Sequence, residues 1–495
     1  MYFIGYDLGS SSFKATLLDG NTGRKVASAQ YPDQEMPITA HKAGWAEQDP
    51  EMWWEACKQA TARLFSKSNI DKSAIHAIGI SYQMHGLVLL GRNGEVLRPS
   101  IIWCDSRAVP IGRKAFTSIG EGKCLDHLLN SPGNFTASKL GWVKENEPDL
   151  YEQTDHFMLP GDYLNFRLTG EINTTVSGLS EGMFWDFKNS RPAELLFDYF
   201  GFSQDLIPEL VPTFGQQGTL GKTASKALGL PQGIQVCYRA GDQPNNALSL
   251  NVLNAGEVAA TAGTSGVVYG VSDQVKYDPQ SRVNTFAHVN HTASLNRLGI
   301  LLCINGTGIS NAWLNRLLNR YSYEAMNELA ANVSVGAEGL LVLPFGNGAE
   351  RMLGDHNPGA QLINLNFNIH QEGHLCRAVQ EGIVFSFQYG LQIMDTLGLE
   401  PSVIRAGHAN MFLSPLFRQA LADTSGIPIE LFNTDGATGA AIGAAIGFGA
   451  MSVKDAFRGL EVLEVTEPSS NNDAYLSAYN QWSKALNQVL ASYPV

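Results

Sequence analysis

The chain has 495 residues, a net charge of −13, 16% charged residues and 50 glycines. At roughly 100–200 residues per domain this length implies two to four domains, each able to bury its own core. The acidic balance excludes a general nucleic-acid binder, which needs a basic face, and the 44% hydrophobic content excludes long disorder.

In chain order, the opening residues lack a basic stretch and a long apolar run, so no signal peptide is expected. Tyr2–Leu8 and Phe13–Leu18 read as strands joined by a turn at Gly9–Ser12. A helix is predicted over Pro50–Ser66, with Glu51 in its first turn, then buried strands over Ala74–Ser81 and Leu87–Leu90. Helical pattern returns near Ala137–Asn146, and Ile234–Tyr238 is a further strand. Alternating strands and helices predict an α/β architecture, its sheets covered by helices. Gly436–Met451 is uncharged but only 16 residues long and mostly Ala and Gly. A membrane span needs about 20 strongly apolar residues, so a buried, closely packed helix is expected, in a soluble cytoplasmic chain. Six scattered cysteines without a CxxC pair predict reduced core thiols.

One stretch echoes another. Residues 6–19, YDLGSSSFKATLLD, reappear in outline at 260–273, ATAGTSGVVYGVSD. Two domains that begin with the same strand–turn–strand device are therefore expected. The first copy carries Asp7 where the second has Thr261. One turn can hold a metal-associated carboxylate; the other offers only N–H and hydroxyl donors. Facing each other across a cleft, two such turns would grip a polyphosphate.

Two apparent motifs are set aside. Gly215–Thr223, GQQGTLGKT, has five residues where a P-loop has four, and Pro208 and Pro212 interrupt any preceding strand. Gly178–Gly182, GLSEG, lacks the strand–turn–helix setting of a nucleophile elbow. Both are expected to be structural.

Four clusters carry chemistry. In Asp7-Leu8-Gly9-Ser10-Ser11-Ser12 the glycine admits a phosphate, successive N–H groups point inward, and Asp7 can hold hydrated Mg²⁺. Gly241-Asp242-Gln243 places an acid at a strand end, where it can serve as a general base or cap a following helix. Gln83-Met84-His85-Gly86 sets polar side chains at another strand end. In Trp103-Cys104-Asp105-Ser106-Arg107 the aromatic, acid and base either line a polyol pocket or form a simple ion pair.

Together with AGWAEQDPEMWW (43–54), FTASKLGWV (135–143), LPGDYLNFRLTGE (159–171), AGTSGVVY (262–269) and AGHANMFLSPLFRQALAD (406–423), these blocks make the chain resemble the FGGY carbohydrate kinases of the actin/Hsp70/hexokinase superfamily, over roughly residues 1–485. Lys139 and Trp142 match the family's first signature. The resemblance implies two ribonuclease-H-like domains around a central cleft. Residues 1–246 would be the N-terminal, sugar-binding domain and 247–495 the C-terminal, nucleotide-binding domain, its last helical segment packing back on the first. It implies ATP and Mg²⁺ as cofactors, a small-molecule sugar as partner, no nucleic acid, no membrane and a homodimer. Asp242 would be the base, Asp7 would place the γ-phosphate and metal, and Gln83, Met84, His85, Trp103, Asp105 and Gln243 would serve the sugar. Gly9, Ser10, Ser11, Gly263, Thr264, Ser265, Gly308, Gly407 and Asn410 would line the nucleotide site. The Gln-Met-His-Gly block points toward a ketopentose, with other ketopentoses, polyols or a non-catalytic ATP-binding role as alternatives. Departures from the family pattern are Gln243 in place of Asn, the stretch Gly348–Gly354, and Arg405-Ala406-Gly407-His408 in the adenosine loop.

Overall fold

The computed structural model describes residues 1–319 and 321–493. The chain forms two compact units: Met1–Leu253 with Phe286–Leu298 and Thr434–Leu460, and Asn254–Thr285 with Gly299–Asn433 and Glu461–Val495.

Five strands build the sheet of the first unit: β1 (Tyr2–Leu8), β2 (Phe13–Asp19), β3 (Lys25–Tyr31), β4 (Ile75–Tyr82) and β5 (Gln235–Gly241). Their order is β5-β4-β1-β2-β3. The hairpin pairs Leu8 with Phe13 and Asp7 with Lys14, whereas β4 runs parallel to both β1 and β5. β1 is buried along most of its length, as its apolar run predicts. On one face lies the helix Pro50–Ser66, started by Asp49, whose carboxylate accepts the Glu51 N–H at 2.9 Å, and by Pro50 at its first position. Trp53, Ala60 and Leu64 on this helix join Tyr6, Phe13 and Ile80 in the core.

The other face meets the helix Gly436–Gly447, buried and without a charge. Its backbone sits almost on the sheet. A Cβ on Gly5 would fall 1.8 Å from the Ala437 carbonyl oxygen, and one on Gly79 2.0 Å from that of Ala440. In return, Gly443 leaves room for the Tyr238 ring. This interlock explains the Ala/Gly composition: larger side chains would push the layers apart. No helix among the described residues is long and apolar enough to cross a membrane.

The second sheet comprises β6 (Glu257–Ala262), β7 (Gly266–Ser272), β8 (Asn284–Ala287), β9 (Leu298–Ile304), β10 (Val403–Gly407), β11 (Ile429–Phe432) and β12 (Val462–Thr466). The sheet order is β8-β9-β7-β6-β10-β11-β12. β6 and β7 form an antiparallel hairpin and β6, β10 and β11 run parallel. With β8 and β12 removed as edge additions, the order and chain sequence repeat those of the first sheet. The sequence echo at 6–19 and 260–273 is thus a repeat of a whole ribonuclease-H-like sheet, the mixed α/β fold expected.

Two expectations are corrected. The chain does not divide once at 246, because the segments Phe286–Leu298 and Thr434–Leu460 return to the first unit. The last helix, Asn472–Leu490, does not leave the second unit: Tyr475, Tyr479, Trp482 and Leu486 form its buried stripe, and the Trp482 indole donates to the Val342 carbonyl at 2.8 Å. Four cysteines are buried as expected, but Cys104 and Cys303 are exposed.

Candidate active site

In the first unit, the ends of β1, β4 and β5 hold the polar residues. Asp7, one residue before the end of β1, accepts the Ser81 hydroxyl at 2.7 Å on Oδ1. Its Oδ2 lies beside Gly436, where a Cβ would come within 2.5 Å. The carboxylate thus rests at the N-terminus of a twelve-residue helix, which favours its charged form. Burial nevertheless raises its pKa, and Ser81 and Lys14 oppose the rise.

Asp242 follows β5 as the first residue of the helix Asp242–Ser249, whose cap position is Gly241. Its side chain therefore does not cap the helix. Burial lifts its carboxyl to about 7, the charges of Asp7 and Glu181 add to the lift, and hydrogen bonds from Gln243 oppose it. Met84 packs on the same corner: a Cβ on Gly241 would strike its Cγ at 2.5 Å.

His85 has a left-handed backbone, φ 62°, uncommon for a residue other than Gly, though His, Asn and Asp adopt it more readily than most. It is held from both sides. Its N–H donates to Glu181 Oε2 at 2.6 Å, and its carbonyl accepts the Lys139 ammonium at 2.7 Å. Lys139 is fully buried, also donates to the Ile102 carbonyl, and is pushed down to about 7 by burial. The His85 ring meets Phe135 edge-on at 4.7 Å. Glu181 belongs to the GLSEG stretch set aside as structural. That stretch is a short helix, Val176–Glu181, with no nucleophile elbow, yet its last residue touches His85. A buried acid among small and apolar residues was the one local sign.

Gln83 is buried and does not stand free at the strand end. Its amide donates to Gln48 Oε1 at 3.1 Å, and Gln48 donates to the Ser10 carbonyl at 2.7 Å. Gln48, missed in the sequence, thus ties β4 to the turn. Trp103 is 53% exposed, with its indole N–H 3.4 Å from the Ser10 hydroxyl. Asp105 corrects the pocket expectation. Fully buried, it accepts the Ala46 N–H, the Arg107 N–H and three bonds from the Arg107 guanidinium, which lies 3.8 Å from the Trp45 ring centre. The ion-pair alternative holds because no oxygen of Asp105 is left for a ligand. The GQQGTLGKT stretch is also structural: Gln217 donates to the Pro212 and Thr213 carbonyls.

Both hairpin turns present unclaimed N–H groups. Among the described residues, Ser10 and Ser11 in the first turn and Gly263, Thr264 and Ser265 in the second donate to no backbone acceptor outside the ladders. A Cβ on Gly9 would meet nothing nearer than 3.3 Å, and one on Gly263 nothing nearer than 3.5 Å. The fold itself does not require these two glycines; an approaching ligand would.

The second turn opens into a cavity of about 890 Å³ within the second unit. Gly263, Thr264, Gly308 and Asn410 line it, as expected; Ser265 and Gly407 do not. Gly308 has a different part from the one expected of an open donor. Its N–H bonds the Gly263 carbonyl at 2.8 Å, and a Cβ there would strike that oxygen at 2.3 Å, so it locks the turn onto the helix Gly308–Leu317. The opposite wall comes from the helix Tyr323–Ala331, including Asn327 and Glu328, which no motif announced. Two departures from the family pattern are structural in part: Glu350 takes the Asn305 N–H at 3.0 Å, and Arg405 pairs with Glu257 and Glu430.

Among the described residues, no group of three His, Cys, Asp or Glu could cage a metal ion. That suits Mg²⁺, which keeps several waters and takes one or two carboxylates plus phosphate oxygens. Asp7 fits such a place, since its buried carboxylate would gain from a cation.

Comparison with known proteins agrees with this arrangement. Residues 2–249 match the N-terminal domain of the FGGY family of carbohydrate kinases, and residues 258–451 its C-terminal domain. A xylulose kinase of Bacillus subtilis is 32% identical over 403 residues, 80% of this chain and 78% of the relative. One from Staphylococcus epidermidis is 31% identical over 503 residues, covering 99% of this chain and 97% of its own. The crystal structure of xylulose kinase from Rhodospirillum rubrum superposes with a TM-score of 0.88 at 25% identity, over 99% of both chains. The two repeated sheets, their glycine turns and these matches together place the chain in the FGGY family of carbohydrate kinases, enzymes that transfer a phosphoryl group from ATP to a sugar hydroxyl.

Proposed function

We propose that the sugar is a ketopentose, D-xylulose first, and that Asp242 is the general base. The observation that carries the base is the Asp242 carboxyl lifted to about 7 by burial beside Asp7 and Glu181. A base poised near the working pH is half free to accept a proton and strong enough to draw one from a hydroxyl. Met84 and His85, gathered on the same corner, support the sugar assignment, as do the xylulose kinases among the relatives.

In this reading the sugar hydroxyl gives its proton to Asp242 as its oxygen attacks the γ-phosphorus of ATP. In each unit the N–H groups of the glycine turn, Ser10 and Ser11 in the first and Gly263–Ser265 in the second, are suited to phosphate oxygens, whose charge is spread in a loose transition state. The cavity beside Gly263 and Asn410 takes the nucleoside. Asp7 would hold Mg²⁺, which when bound offsets phosphate charge. Gln83 and Trp103 act on the Ser10 turn more directly than on the sugar, and Gln243 steadies Asp242. With the mechanism go a cytoplasmic setting, where ATP is present and free thiols stay reduced, and a pair of chains in solution, which light scattering tests.

The test is ADP release against D-xylulose, L- and D-ribulose, L-fuculose, glycerol and gluconate, for wild type and Asp242→Asn. D-xylulose should be preferred, and the variant should lose ~10²–10⁴ in kcat with little change in ATP affinity by calorimetry. Glycerol or gluconate preferred over every ketopentose would overturn the sugar assignment. Turnover above about a third of wild type in the Asn variant, far from the expected loss, would remove Asp242 as base. Absence of sugar-stimulated ADP release would favour a non-catalytic ATP-binding role.

A further inference from the structure

The contacts around the His85 ring are more selective than a packing role needs. Nδ1 lies 2.7 Å from Glu181 Oε2 and 2.9 Å from the Glu181 carbonyl oxygen. Both neighbours are acceptors, so Nδ1 must carry a hydrogen. No group among the described residues bonds Nε2, and the side chain keeps 16% of its exposure. Glu181 is itself 2% exposed, and the same Oε2 takes the His85 N–H at 2.6 Å. One buried carboxylate therefore grips the backbone and the ring of a single residue held in a left-handed conformation. Lys139 secures the carbonyl of that residue, and Phe135 and Phe286 flank the ring.

We propose that Glu181 is a positioning residue that fixes His85 as the Nδ1–H tautomer, so that Nε2 stands as a hydrogen-bond acceptor for a hydroxyl of the sugar. The inference rests on the assignment of His85 to the sugar side. A neutral imidazole has one donor and one acceptor, and the partner of one nitrogen decides the role of the other. With Nδ1–H held by Glu181, the other nitrogen accepts, and a hydroxyl donor is recognised. The other tautomer would present an N–H and recognise a carbonyl instead. Glu181 thereby sets which polar group of the sugar the site reads, without touching the sugar. A site that leaves its buried polar group unpaired rejects the wrong ligand strongly.

The experiment combines ¹⁵N NMR of the histidine rings with steady-state kinetics on D-xylulose and ATP. In the wild type, the resonance lost in His85→Ala should show protonated Nδ1 and unprotonated Nε2 at neutral pH. In Glu181→Leu that pattern should give way to a mixture. KM for D-xylulose should rise about tenfold or more, the worth of a lost bond to a charged partner, while KM for ATP holds. Glu181→Gln, whose amide oxygen can still accept from Nδ1–H, should keep the tautomer and stay within about threefold in KM.

A wild-type ring protonated on Nε2 overturns the proposal, and so does an unchanged KM for D-xylulose in a folded Glu181→Leu. If Glu181→Leu does not fold, the wild-type spectrum and Glu181→Gln still decide. Failure of the sugar assignment shows separately: His85→Ala would then leave the KM for D-xylulose unchanged while the Nδ1–H pattern stood.

Discussion

The two glycine turns share a backbone and differ in their neighbours. The first, after β1, lies among acids: Asp7 within the hairpin, with Asp242 and Asp435 acting on it or through it. The second, after β6, carries Thr261 in place of Asp7 and sits against Gly308 and Asn410, on the wall of a large cavity. N–H donors alone can cradle an anion. Donors beside carboxylates repel an anion until a cation or a proton offsets the charge. The proposed function divides this repeated device into two tasks by the residues around it: the second turn would hold the nucleotide, the first the reacting phosphoryl group.

The largest expected effect separates the paired positions. Asp7→Ala should cost about 10²–10³ in kcat, the scale of a lost electrostatic group at a reacting centre. Thr261→Ala should leave kcat within about threefold, the scale of a neutral hydrogen bond. Steady-state assays on both variants check this, and equal losses would erase the division of tasks.

Next comes the glycine that only the second turn needs. Gly308→Ala would push a methyl group to 2.3 Å from the Gly263 carbonyl oxygen, and overpacking of this kind costs about 1–3 kcal/mol. Calorimetric melting should show a lower transition with weaker ADP binding. Gly9→Ala, whose methyl group would come only to 3.3 Å from the Ser12 carbonyl oxygen, should lower the transition far less.

A bulkier side chain at the turns themselves probes ligand approach. Gly263→Val should weaken ADP binding by about tenfold or more, because its methyl groups would enter the nucleotide cavity. Gly9→Val should lower kcat with ADP affinity kept. Isothermal titration of ADP distinguishes the two.

The smallest shift is in pH. With Asp242 as the proposed base and its carboxyl lifted to about 7 by burial, kcat/KM should fall as pH drops below about 7. Asp7→Asn removes a charge that raises this pKa, so the acid limb, measured on the residual activity, should move to lower pH. Stability carries the same sign. The folded carboxyl binds its proton more tightly than the ordinary value of 3.8 allows, so its contribution to stability is lost as pH rises from 3.8 to about 7. Asp242→Asn should therefore raise the melting temperature at pH 8 more than at pH 4.

What the sequence by itself determined is what nearest neighbours along the chain decide. Apolar, β-rich runs around a glycine turn specify the hairpin Tyr2–Asp19 and its echo, and Asp49 with Pro50 start the first long helix where the cap chemistry says. An uncharged Ala/Gly run reads correctly as a helix for close packing. Asp7 and Asp242 were legible as strand-end acids because a strand followed by a glycine turn or a helix start marks such positions locally. Tertiary structure alone decided the rest. Glu181 reaches His85 from 96 positions away, Gln48 reaches Ser10 from 38, and the helix Gly436–Gly447 returns to the first unit. Asp105 and Glu181 are both buried acids, yet one is consumed by Arg107 while the other orients a ring. No local pattern distinguishes them, because the partner of a buried charge is chosen by which distant elements the hydrophobic core brings against it.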